Sequence, residues 1–170
     1  PLVDAKPAVP EAALLLGLIQ RRMGRTEDAV KTWSALAGTP DDRAMIRYEL
    51  GLVAAGAGDW KRAEKESLAA LAMSPDSTLV RLLLAVARLR TDPGKVRETL
   101  SPVLAANPVE IGALELLRQA AEKTRDSREA KRLAAELSRL EAMAPVQFKA
   151  GMAEVTALEQ GQDIDGNAVD

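Results

Sequence analysis

Cysteine and histidine are both absent from this chain of 170 residues. Their absence removes disulfides, thiolate and imidazole metal ligands, and imidazole acid–base chemistry together. No Gly-x-Ser-x-Gly elbow, phosphate-cradling glycine loop or ligand cluster stands in for them, so no enzyme, metal or cofactor is expected. Charge of one sign is lacking too: 23 Lys and Arg against 25 Asp and Glu leave a net charge of -2 without a basic stripe, which argues against nucleic acid. The longest apolar run, residues 12–19, is far short of the roughly 20 residues a bilayer span needs. Aromatic residues are scarce, at 2%: Trp33, Tyr48, Trp60 and Phe148.

What remains is 47% hydrophobic and 28% charged, rich in the helix formers Ala, Leu, Arg and Glu, and too apolar for a disordered chain. An all-α domain with a real core is the expectation. The lack of cysteine leans toward an oxidising compartment and the Ala, Leu and Arg bias toward a bacterium, so the bacterial periplasm or cell envelope is expected over the cytoplasm. A start at Pro1 reads as a mature or trimmed piece of something longer.

Punctuation recurs at a fixed interval: Gly17 and Gly51, Gly24 and Gly58, and Ala29 and Ala63 are each 34 residues apart. Gly24 and Gly58 suit left-handed helix ends, and Thr26 and Asp59 then read as caps of the next helix. Each unit is a helical hairpin.

This pattern resembles the tetratricopeptide repeat, which sets a small residue midway along a first helix, glycine at the turn, alanine early in a second helix and proline near the end. Gly17, Gly24, Ala29 and Pro40 take these roles in one unit, and Gly51, Gly58, Ala63 and Pro75 in the next. Leu16 and Leu50 precede the small residues. A looser third unit uses Leu84, Ala85, Gly94, Val96 and Pro108, and a fourth uses Leu117, Arg118 and Ala130 behind a capping box over residues 126–129. The resemblance implies a right-handed α-solenoid of about four hairpins, over units of about 10–40, 41–75, 76–108 and 109–144. Residues 1–10, with three prolines, read as a linker, and Phe148, Met152, Val155 and Leu158 recur at helical spacing, giving a capping helix and polar tail over 145–170. Pro102 lies inside a second helix and predicts a kink there.

The resemblance also implies a function, that of a scaffold or adaptor holding another polypeptide. Its ligand-facing positions fall on Leu14, Leu18 and Arg21 in the first unit, Tyr48 and Leu52 in the second, and Leu82, Val86 and Arg90 in the third. Such a wall suits an apolar peptide or amphipathic helix, with Tyr48 as the anchor. The basic clamp that chaperone-binding relatives use is replaced by Leu14, Leu18, Tyr48 and Leu52, so an acidic chaperone tail is not the expected guest. The same leucines also fit a tighter bundle or packing against the chain's own tail. Self-assembly through the repeat surface into homo-oligomers is the alternative role.

Three lesser features take structural readings. Asp41 and Asp42 suit a helix start, the charges from Lys61 to Glu66 suit a solvated face, and Asp163, Asp165, Gly166 and Asn167 lack the glutamate a calcium loop requires.

Overall fold

A computed structural model describes residues 10–162 apart from 38, 40 and 41. The leader, Pro40, Asp41 and the acidic residues near 165 lie outside the described residues. Among those described the chain is all helix: α1 (Pro10–Arg22), α2 (Thr26–Ser34), α3 (Ala44–Gly56), α4 (Trp60–Met73), α5 (Thr78–Thr91), α6 (Val96–Ala106), α7 (Ile111–Lys123), α8 (Ser127–Met143) and α9 (Pro145–Glu159). Consecutive pairs from α1 to α8 pack as four hairpins, and these stack into a solenoid through α2 on α3, α4 on α5 and α6 on α7.

The turns explain the glycine spacing. The Gly24 N–H donates to the Arg21 carbonyl and the Arg25 N–H to Gln20, and Gly58 with Asp59 repeats the pair on Ala55 and Ala54. These paired bonds end a helix only if the turn residue is left-handed, and φ is 74° at Gly24 and 73° at Gly58. Arg125 and Asp126 make the same two bonds at φ 62°, without the relief a glycine gives. The third unit departs, turning instead through a 3₁₀ segment at Pro93–Lys95.

Capping follows the expected residues in part. Asp59 accepts from the Arg62 N–H at 3.1 Å and Asp126 from the Glu129 N–H at 3.0 Å, but Thr26 is already the first helical residue and Arg25 holds the cap position. Glu129 does not close the box on Asp126; it pairs with Arg97 and Arg132, tying α8 to α6. α6 continues through Pro102, and the Ser101 hydroxyl donates to the Glu98 carbonyl that the proline leaves without its amide.

Gly17 and Gly51 lie where helices meet, for different reasons. Trp33 is fully buried against Gly17, and its indole N–H donates to the Leu14 carbonyl at 3.3 Å. In the second unit the residue 34 positions on is Ser67, and the space beside Gly51 is reached by Leu83 of the next hairpin. Two clusters result. Ala29, Trp33, Ile46 and Leu50 form the smaller, while a larger one runs from α3 to α9.

Candidate partner-binding surface

α5 is apolar on nearly every side and must be covered on every side; the structure shows by what. Its neighbours are α3, α4, α6, α7 and, on the remaining side, α9. α9 is not confined to the end of the stack. It packs on α7 and α8, crosses α5 and reaches α3, so this helix of the same chain runs along the first helices of the fourth, third and second hairpins.

Close approach is achieved with glycine. A β-carbon at Gly151 would sit 2.6 Å from the Ile111 Cβ, and one at Gly161 would sit 2.6 Å from the Gly56 Cα and closer to the Leu52 carbonyl. Between these ends Val155 and Leu158 are buried, with Phe148 and Met152 half-buried against the same cluster. The far end is pinned by Arg90, whose Nη2 donates to Glu159 Oε1 at 3.3 Å while its guanidinium lies 5.6 Å from the Trp60 ring centroid. One carboxylate opposes this docking: burial pushes the Glu154 carboxyl above its ordinary value, with the Glu110 charge adding to the effect.

The eight residues expected to face a ligand therefore divide. Leu52, Leu82 and Val86 are wholly buried, and Tyr48 nearly so, in the cluster that also holds Val155 and Leu158. In this structure they face protein rather than solvent. Arg90 is exposed and holds α9. Leu14 and Leu18 are half-buried beside the Trp33 cluster, and Arg21 donates to the buried Glu49 at 2.7 Å, joining α1 to α3. Sequence reasoning passed over Met45, which stands seven residues before Leu52 on the same face of α3 and is 47% exposed. Leu15 and Ile19 on α1 and Met23 just past its end are exposed as well, at intervals of four residues.

Charge on the outer helices is more organised than a solvated face. Arg47 donates to Asp42 at 2.7 Å and to Glu66 at 2.8 Å, and these hydrogen bonds, Asp42 first, raise its pKa. Asp42 thus precedes α3 as an ion-pair partner, and Glu66 is buried rather than solvated. Glu64 likewise pairs with Arg88, while Lys61, Arg62 and Lys65 are exposed.

The family model described as Tetratricopeptide repeat matches residues 14–78 and, in a second placement, 48–92. Residues 14–92 are tetratricopeptide repeat. No curated protein and no solved structure matches it. The matched residues take in the first two hairpins and α5 of the third. α7 and α8 lie beyond them and extend the tetratricopeptide stack by their packing. Repeats of this family serve protein–protein interaction, and no described helix is long and apolar enough to cross a membrane.

Proposed function

We propose that this chain is a non-enzymatic adaptor whose inner wall receives a helix of another protein. The observation that carries the reading is α9 itself: the wall formed by α3, α5 and α7 already accepts a helix lengthwise, with glycine at the points of closest approach. Beyond the floor that α9 occupies, half-buried Leu14 and Leu18 on α1 and exposed Met45 at the start of α3 offer a guest further apolar contacts. Tyr48 contributes as part of the buried floor, so its removal reports on folding as much as on binding.

The test is to select helical peptides from a displayed library against the chain and to measure their affinity for variants. Leu18→Asp and Met45→Asp should each weaken binding at least about ten-fold, roughly 1.4 kcal/mol, while Lys65→Ala on the outer face leaves it unchanged. Folded variants that bind as tightly as the parent would move the site away from this wall.

Self-assembly is the second reading, favoured by exposed Leu15 and Ile19 on α1 and Met23 just past its end. A concentration-dependent oligomer in light scattering that Ile19→Asp abolishes would support it.

A further inference from the structure

α9 is attached less firmly than the helices it covers. It buries only Val155 and Leu158 fully, whereas α5 buries eight residues and α7 nine. A single non-helical residue, Ala144, joins it to α8, and Met143 and Val146 on either side are 70% and 75% exposed. Glu154 loses solvation within the contact and faces Glu110, so seating α9 at neutral pH opposes a charge. The floor beneath is apolar.

We propose that α9 is a built-in occupant of the groove that a helix from a partner protein displaces, and that this helix repeats the pattern set by Gly151, Val155, Leu158 and Glu159. The inference rests on the inner-wall reading and adds the guest's chemistry. A glycine is required where the guest crosses Ile111, since even one β-carbon there would sit 2.6 Å away. Four and seven residues on, branched aliphatic side chains enter the floor as Val155 and Leu158 do. The next residue is an acid that meets Arg90, as Glu159 does. Because α9 is tethered, it competes at high effective concentration, and a free helix of the same pattern binds weakly until α9 is loosened. Partner binding along the inner wall is thereby coupled to release of α9.

Two measurements on the full chain test this. In hydrogen exchange, the amides of 148–160 should exchange at least about a hundred-fold faster than those of α5 and α7, through an opening that leaves the repeats protected. Equal rates would make α9 an inseparable part of the fold and overturn the proposal, even where selected peptides still bind through Leu18 and Met45. In fluorescence anisotropy, a labelled synthetic peptide of residues 145–162 should bind Gly151→Leu at least about ten-fold more tightly than the parent, because the variant's own helix no longer seats on Ile111. A peptide carrying the same change should bind neither. Leu158→Asp, which also unseats α9 without altering the wall, serves if the glycine variant does not fold. Independent opening without capture of the peptide would reject the partner pattern together with the groove. A parental dimer that exchanges α9 between copies would overturn the heterologous partner in favour of a second copy of this chain.

Discussion

Replacing Gly17 by alanine should be far costlier than replacing Gly51, although both occupy the same position in the repeat. The added methyl at Gly17 would lie 2.8 Å from Cζ2 of Trp33 and closer still to Nε1 and Cε2. An indole is rigid and this one is fully buried, so relief requires moving the ring or parting α1 from α2. Overpacking of this kind costs about 1–3 kcal/mol. Displacing the ring also breaks its bond to the Leu14 carbonyl, worth about 1 kcal/mol, while exchanging glycine for alanine within a helix returns about 1 kcal/mol. The net expectation is a loss of about 2 kcal/mol for Gly17→Ala. At Gly51 the nearest atom is a terminal methyl of Leu83 at 3.1 Å, which can rotate away, so Gly51→Ala should fall within about 0.5 kcal/mol of the parent. Urea unfolding followed by circular dichroism measures both, and Trp33→Leu in the Gly17→Ala background should recover part of the loss as a coupling energy. A Gly17→Ala chain as stable as the parent would refute the claim that the indole enforces glycine there.

Three further outcomes follow from the geometry. Arg125→Gly should stabilise by about 1 kcal/mol in the same denaturation assay, because it removes the left-handed strain of an otherwise regular turn; a loss of stability would mean the arginine side chain matters more than φ. Arg47→Met should destabilise by about 2–3 kcal/mol by leaving Asp42 and Glu66 without their cation, and adding Glu66→Met should recover much of it in a double-mutant cycle. Two carboxylates impose opposite pH slopes. Glu129, lowered to about 2 from 4.5 by hydrogen bonds from Arg132 and then Arg97, contributes stability that is present above 4.5 and lost as pH falls toward 2. Glu154, whose folded value is raised, is bound more favourably as the neutral acid, so its contribution declines as pH rises from the ordinary carboxylate range through the raised value, and Glu154→Gln should flatten that part of a melting-temperature profile.

The hairpins were legible because their signals are local. A left-handed glycine and a small residue seven positions earlier lie within about two helical turns of each other, and Gly17, Gly24, Gly51 and Gly58 announce them at a fixed period. The route of α9 was not legible in the same way. Phe148, Met152, Val155 and Leu158 show that the helix has an apolar face, but amphipathicity does not say whether that face covers the last hairpin or the inner wall. The deciding residues are Gly151 and Gly161, whose neighbours, Ile111 and Leu52, are distant in sequence. Glycine inside a helix was the available signal of close approach, without an address. The place of Leu52, Leu82 and Val86 failed to resolve for the same reason, since an apolar stripe reads alike whether it meets a partner or the chain's own end. Arg47 is a third case: a long cation spans from the loop before α3 to α4, and its two acids become apparent only once the helices are side by side.

The return of α9 changes how the molecule comes apart and how it is made. A row of repeats ordinarily touches only nearest neighbours, so it frays from its ends and can begin to fold anywhere. Here one 15-residue helix straps α3, α5, α7 and α8 together, converting most of the row into a single cooperative body of high contact order. α1 and α2 have, among the described residues, no substantial packing with the strap; they are held instead to α3, through Ile46 and Leu50 in the smaller cluster and through Arg21 on Glu49. During synthesis the apolar floor of α3, α5 and α7 stays uncovered until α9 has left the ribosome and can pack on it.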